Sequence, residues 1–287
     1  MQIKTETITP QSEGLSVTID VDARDVFVLV LVPNNLNDVE VCGRTISNWV
    51  DCAVAPYNRK SIQIKRSDDI IGLVKDNVKD EKYCVVVYAD TPLIKLETIE
   101  QALSFAVTYD HKVVQLPRGW IFEINFIKGA SEIKAVSVPN LEDSDFTVAY
   151  NFSQIALITT YMRHRINAVH MQNGVHITDP YNVYIDVDVE IGEGTKIEPG
   201  VVLRGDTTVG KNCYIGSGVS FCNFDGKKKH PISIGDEVFI GDSSNLVAPL
   251  VIGDKAHIGV GSTITQDVPM NALALARARQ AVKEDWQ

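Results

Sequence analysis

The chain has 287 residues, 45% hydrophobic and 22% charged, with a formal net charge of −10 at pH 7. That length allows one large domain or two ordinary ones, with a core that needs no disulfides. The acidity weighs against nucleic-acid binding, which needs a basic face for the phosphates. The longest apolar run, Val26 to Val32, is too short to cross a bilayer, so no membrane partner is expected. Met1 to Glu13 is polar and shows no signal-peptide core. Five cysteines, an odd number with no CxxC pair, argue against a disulfide framework or a zinc site. They read as small buried thiols of a reducing compartment, which predicts a cytoplasmic protein.

In chain order, Val26 to Val32 and Tyr83 to Tyr88 read as buried strands, and Leu96 to Thr108 has helical spacing. This alternation predicts an α/β domain with a parallel or mixed sheet over residues 1–144. Ser131 to Asp145 reads as a connecting segment, followed by a helix from about Phe146 to Met171 that Asp145 or Ser144 would cap. Residues 145–180 thus form a connecting helix and entry segment. Val41-Cys42-Gly43-Arg44-Thr45-Ile46-Ser47-Asn48-Trp49-Val50 resembles the segment after the nucleotide loop of sugar nucleotidyltransferases. Val87-Tyr88-Ala89-Asp90-Thr91-Pro92-Leu93, followed by Glu97-Thr98-Ile99, resembles their strand ending in a magnesium-holding aspartate. The resemblance covers about a third of this half and implies magnesium at Asp90. A strand-end carboxylate that caps a turn is the preferred reading of Asp90. That family grips the triphosphate with a glycine-rich basic loop after the first strand. Here Pro33-Asn34-Asn35-Leu36-Asn37-Asp38 has neither glycine nor a basic residue. No nucleotidyl transfer is expected, and the half is read as a scaffold, a regulatory module or a reshaped sugar-binding domain.

From residue 181 a six-residue period takes over. Ile185, Ile191, Ile197, Leu203, Val209, Ile215 and Phe221 follow one another at steps of six. Ile234, Ile240, Leu246, Ile252, Ile258 and Ile264 do the same. Neither a helix nor an ordinary half-buried strand has that period. Short strands joined by tight turns do, three per coil, so residues 181–268 are predicted to form a left-handed parallel β-helix with these side chains inside. Glycine directly follows at Gly192, Gly210, Gly216, Gly235, Gly241, Gly253 and Gly259. It is read as suited to corners whose torsions disfavour other residues. Phe221 to Ile234 is thirteen residues. The polar stretch Asn223 to Pro231 between them is read as having no ladder residue where one is due, and so as a loop leaving the solenoid. Residues 269–287 form a C-terminal arm or short helix, with Arg277 and Arg279 alternating with alanine before Lys283-Glu284-Asp285-Trp286.

Cys222-Asn223-Phe224-Asp225-Gly226, Lys229-His230, Ile234-Gly235-Asp236-Glu237-Val238-Phe239-Ile240-Gly241, Leu246-Val247-Ala248-Pro249, Gly261-Ser262-Thr263-Ile264-Thr265, Asp267-Val268-Pro269, Ala272-Leu273-Ala274 and Arg277 run in one order. They resemble the acetyltransferase domain of the bacterial bifunctional N-acetylglucosamine-1-phosphate uridyltransferase / glucosamine-1-phosphate acetyltransferase family. Arg165-Ile166-Asn167, His170-Met171, Gly174-Val175 and Asp179-Pro180 resemble its entry segment, so the likeness covers roughly Arg165 to Trp286. It implies a homotrimer with acetyl-CoA and amino-sugar in clefts between subunits. It sets Asn223 beside the acetyl-transfer site, Arg277 on the coenzyme and Lys229 on the loop's basic position. The chain departs by lacking the middle coils. The family's catalytic histidine falls on Gly200, its tyrosine neighbour on Leu203 and a polar substrate contact on Tyr214.

Acyl transfer to an amine needs a base near neutral pH, which imidazole supplies, and a donor for the oxyanion. His230, beside Asn223, Asp225 and the run Lys227 to Lys229, is the best candidate. Histidine-proline before an Ile-x-Ile-Gly strand also resembles loops of other hexapeptide acyltransferases. The predicted site has His230 and Asn223 catalytic, Lys229, Arg277 and Arg279 on the coenzyme phosphates, and Asp225 on substrate, with no metal. His257 reads as an outer-face residue, and His164, His170 and His176 as dispersed. Three functions compete. The first is an acetyl-CoA-dependent acyltransferase of a small amino-sugar or sugar-nucleotide acceptor. The second is a catalytically silent trimeric scaffold or sugar-nucleotide-binding protein. The third is a nucleotidyltransferase with a rearranged loop.

Overall fold

The computed structural model describes residues 3–6, 21–33, 36–65 and 68–283. The readings made on Met1–Gln2, residues 7–20, Asn34, Asn35 and Glu284–Trp286 lie outside them. The chain divides into two compact units, residues 1–159 and 160–287.

The first unit contains β1 (Ile3–Glu6), β2 (Val26–Val32), β3 (Glu40–Val41), β4 (Arg44–Thr45), α1 (Ile46–Ala53), β5 (Asn58–Gln63), α2 (Ile70–Asn77) and β6 (Tyr83–Tyr88). It continues with α3 (Leu96–Thr108), β7 (Val113–Leu116), β8 (Gly119–Glu123), α4 (Ile124–Gly129) and β9 (Ile133–Ser137). The seven-stranded sheet has the order β1-β9-β7-β8-β6-β2-β5. Strand β2 is parallel to both β5 and β6, whereas β8 is antiparallel to β6 and β7. Alternation along β2 explains its two-sided burial. Val26, Val28 and Val30 pack with Val50 of α1 and Ile99 and Leu103 of α3. Leu29 and Leu31 pack with Ile71 and Val74 of α2 and Ile127 of α4.

Two expectations change here. The segment Ser131 to Asp145 is not only a connector, because β9 within it joins the sheet between β1 and β7. The helix that follows, α5 (Phe152–Gln172), begins later than predicted. Its first-turn amide at Gln154 is capped by the Asn151 carboxamide at 2.9 Å. Asp145 is instead buried, accepting a hydrogen bond from Thr98 Oγ1 at 2.5 Å and pairing with Lys95 at 3.0 Å. Helix α5 spans the division between the units.

The second unit winds through β10 (His176–Ile177), β11 (Tyr184–Ile185), β12 (Glu190–Ile191), β13 (Lys196–Ile197), β14 (Val202–Leu203), β15 (Thr207–Val209), β16 (Tyr214–Ile215) and β17 (Ser220–Cys222). It goes on through β18 (Ile232–Ile234), β19 (Phe239–Ile240), β20 (Asn245–Val247), β21 (Leu250–Ile252), β22 (His257–Ile258), β23 (Thr263–Ile264) and β24 (Leu273–Ala274). These strands form three parallel walls: β10-β13-β16-β19-β22-β24, β11-β14-β17-β20-β23 and β12-β15-β18-β21. Ladder residues stack across coils, as in Ile177↔Ile197↔Ile215↔Ile240↔Ile258. Twelve of the thirteen predicted ladder residues are buried. Ile191, on β12, is only half-buried. A second inward column lies two residues earlier in each hexad, including Val183, Thr195, Val201, Cys213, Val219, Val238 and Ser244. Asn167 of α5 is buried and donates from Nδ2 to the carbonyls of Pro180 and Val183, tying the helix to the first coil.

The glycines after the ladder residues serve close packing rather than torsion. A Cβ on Gly192 would lie 2.6 Å from the Gly210 carbonyl carbon, and one on Gly241 2.6 Å from the Val260 nitrogen. Positive φ falls instead three residues after the ladder position, at Gly194, Gly200, Asn212, Gly218, Glu237, Ser243, Lys255 and Gly261. No ladder residue is missing between Phe221 and Ile234. β18 is the next wall after β17, so the thirteen residues are one hexad plus a seven-residue insertion at a single corner. The C-terminal arm is not a helix among the described residues: Leu273 and Ala274 form β24, which pairs with β22. All five cysteines are free, but Cys52 and Cys222 are exposed, contrary to the buried reading. No helix of the described residues is long and apolar enough to cross a membrane.

Candidate functional site

The corner insertion is a small hairpin. Phe224 and Lys229 form an antiparallel bridge, and the His230 amide donates to the Asn223 carbonyl at 2.8 Å. Asn223 is the hinge pin. It is buried, and its Nδ2 donates to the His230 carbonyl at 2.9 Å and to Thr207 Oγ1 on the wall at 3.2 Å. Its Oδ1 is buried with no donor among the described residues. The loop therefore leaves the solenoid as a fixed projection.

At its tip Asp225 Oδ1 accepts the amides of Lys227 and Lys228, both at 2.8 Å. Its Oδ2 lies 2.7 Å from His230 Nε2. The His230 contact, then the Lys228 and Lys227 amides, draw the Asp225 carboxyl down to about 2. Asp225 is thus an ionised carboxylate at neutral pH and only accepts. Nε2 of His230 must carry the proton, so in neutral His230 Nδ1 is the basic nitrogen. Asp225, expected on substrate, has its oxygens engaged within the loop. The side chains of Lys227, Lys228 and Lys229 are exposed.

Arg277 is exposed, and its Nη1 donates to the Val260 carbonyl at 3.0 Å. Arg279 is exposed beyond the last strand. Among the described residues of one chain, neither arginine hydrogen-bonds the loop. Gly200 is a positive-φ turn and Leu203 faces the interior, so neither presents a polar side chain to a site. Tyr214 lies on the outer face, its ring stacked on Phe239 at 5.0 Å, with His257 stacked on Phe239 at 5.8 Å. His164 sets its ring edge-on to Tyr181, and burial lowers the His170 pKa. No group of three or more metal-ligating side chains occurs among the described residues.

In the first unit, Asp90 is buried and both its oxygens are taken by Arg118. Nε donates to Oδ1 at 2.8 Å and Nη2 to Oδ2 at 2.6 Å. A guanidinium held this way fills the space and the charge that a magnesium ion would need, so the residues do not fit that ion. Sequence reasoning missed Arg118, which lies 28 residues from Asp90 and carries no motif of its own.

The family of bacterial transferase hexapeptides (six repeats) matches residues 188–223, and the hexapeptide repeat of succinyl-transferase matches 231–266. The corner loop falls between the two matches. The "Bifunctional protein GlmU" of Latilactobacillus sakei is 32% identical over 251 residues, covering 57% of this chain and 54% of that protein. The GlmU of Thermotoga maritima is 31% identical, covering 79% of this chain and 54% of that protein. The chain thus spans about half the length of these relatives. The GlmU of Thermoanaerobacter pseudethanolicus is 25% identical over an alignment of 421 positions, covering 86% of this chain and 92% of that protein. An alignment so much longer than the chain itself holds long gaps. Among solved structures, a hexapeptide-repeat acetyltransferase of Vibrio cholerae complexed with acetyl coenzyme A is 19% identical, with a TM-score of 0.35 over 48% of this chain and 95% of that one. The serine acetyltransferase of Neisseria gonorrhoeae in complex with serine is 23% identical, with a TM-score of 0.31 over 47% and 58%. The chain is therefore an α/β unit with a mixed sheet followed by a left-handed parallel β-helix of hexapeptide repeats, and it resembles a shortened GlmU protein.

Proposed function

We propose that the second unit is an acetyl-CoA-dependent acyltransferase acting on an amino-sugar or sugar-nucleotide acceptor. The observation that carries this reading is the His230–Asp225 pair, presented on a projection that Asn223 pins to the wall. Asp225 accepts from Nε2–H, which leaves Nδ1 of His230 to take the proton from the attacking amine or hydroxyl. The nucleophile then adds to the thioester carbonyl and the coenzyme leaves as its thiolate. Lys229, Arg277 and Arg279 supply positive charge for the coenzyme phosphates. Because the two arginines make no hydrogen bond to the loop within one chain, the reading includes a homotrimer in which a neighbouring subunit completes the cleft.

The test is acetyl transfer from acetyl-CoA to glucosamine-type acceptors, with His230→Ala as the control. Loss of about 10²–10⁴-fold in rate with coenzyme binding retained is expected for removal of a general base. An unchanged rate ends the candidacy of His230. The alternative, a silent trimeric scaffold, is favoured by Gly200 and Leu203 standing where the relatives' reactive residues fall. It gains if acetyl-CoA does not bind at millimolar concentration.

A further inference from the structure

The first unit contains a second place where chemistry is gathered. From β2 the chain crosses to β5 on one side, then back over β2 to β6 on the other. The parallel pair β2/β6 is therefore the switch point of the sheet, and in open α/β sheets the crevice at the carboxyl ends of such strands is where ligands lodge. Asp90 stands just past the end of β6. Arg118 comes from the turn between β7 and β8, where Gly119 pairs with Val87. The guanidinium lies over the Tyr88 ring, 4.2 Å from its centroid. Asp90 is 1% exposed and Arg118 29%, so the carboxylate is an interior clamp and the guanidinium reaches the surface.

The way the clamp is made matters. Asp90 uses the Nε/Nη2 edge of the guanidinium. Nη1 has no hydrogen-bond partner among the described residues. A guanidinium has two edges that can each grip an oxyanion with parallel N–H groups. One is spent on fixing the side chain, and the other, Nη1 with the second proton of Nη2, is held in a set orientation with no acceptor among the described residues. A fork immobilised in advance loses little side-chain entropy when it binds.

We propose that Arg118, clamped by Asp90 on Tyr88, is a metal-independent binding residue for an oxyanion, the phosphate or carboxylate group of a small ligand lodged at the switch point of the first unit. The pair takes over the charge-neutralising part that a divalent cation would play beside a lone aspartate. The inference stands apart from the acyltransferase reading, since every residue it uses lies in the first unit.

The full-length chain, in buffer containing EDTA, is titrated calorimetrically with inorganic pyrophosphate and, separately, with malonate. Binding of pyrophosphate identifies a phosphoryl ligand, and binding of malonate alone a carboxylate. In either case Arg118→Gln is expected to weaken binding about tenfold or more, the scale of a lost charge-assisted pair. The wild type gives an independent readout, because the bound anion should protect Arg118 from modification by phenylglyoxal, read by peptide mass. That readout decides if Arg118→Gln does not fold. Absence of binding by both anions, binding that needs magnesium, an unweakened Arg118→Gln, or no protection of Arg118 overturns the proposal.

Discussion

Ile215 is the sharpest place to test the solenoid. It is fully buried and stacked between Ile197 one coil before and Ile240 one coil after. Its side chain is enclosed on both sides along the ladder, so Ile215→Val should cost about 0.5–1.5 kcal/mol and Ile215→Ala about 2–5 kcal/mol, transfer and cavity terms together. The alanine variant therefore raises the opening constant of β16 and β19 roughly thirtyfold to several thousandfold. Ile191 is a built-in control. It is half-buried with only Val209 as its ladder partner, so Ile191→Ala leaves no enclosed cavity and should cost only about 1 kcal/mol. Ile215→Asp buries an unpaired carboxylate, which exceeds what a marginally stable unit tolerates, and the solenoid should not fold. Hydrogen exchange read by mass spectrometry on peptides from β16 and β19, with denaturant melts by circular dichroism, measures each variant. A cooperative, wild-type-like transition in Ile215→Asp would refute the reasoning. So would an Ile191→Ala as costly as Ile215→Ala.

Three further outcomes follow from the same geometry. Gly241→Ala places a Cβ 2.6 Å from the Val260 nitrogen and should destabilise the second unit by about 1–3 kcal/mol. Gly226→Ala, in the open loop, meets no atom within 4 Å and differs only through its positive φ, so denaturant melts of the pair separate crowding from torsion. The Asp225 carboxyl is depressed from 3.8 to about 2, so its hold on the loop is complete above its unfolded value and is lost as pH falls from about 4 toward about 2. NMR shifts of the Lys227 and Lys228 amides should move across that window in the wild type and stay flat in Asp225→Asn. Finally, Arg277→Ala should weaken acetyl-CoA binding without altering the melt, because its one hydrogen bond is exposed; unchanged calorimetric affinity removes it from the coenzyme site.

The ladder was legible because a period of six has no competing explanation in helix or strand. The neighbouring column has the same period, but small and polar residues such as Thr195, Cys213 and Ser244 interrupt its valines, so it stands out less than the ladder. Glycine was visible at the right positions for the wrong physical reason, since contact between coils cannot be read along one chain. In the first unit the runs at Val26–Val32, Tyr83–Tyr88 and Leu96–Thr108 gave strands and helix with the observed bounds. Strand β9 and the start of α5 were not recoverable: β9 is defined by its partners β1 and β7, and Asp145 looked like a cap while its partners Thr98 and Lys95 lay 47 and 50 residues away in sequence. At the corner loop, residue types pointed to Asn223, Asp225 and His230 but not to their contacts. Only geometry shows that Asn223 pins the loop and that Asp225 holds the Nε2 side of His230.

The most direct measurement of the central claim is calorimetric titration of the intact protein with acetyl-CoA, followed by an acetyl-transfer assay on the wild type and His230→Ala. Saturable coenzyme binding by both proteins, with transfer by the wild type alone, is the result this reading requires. A chain that ignores the coenzyme, or a His230→Ala variant that transfers at the wild-type rate, contradicts it.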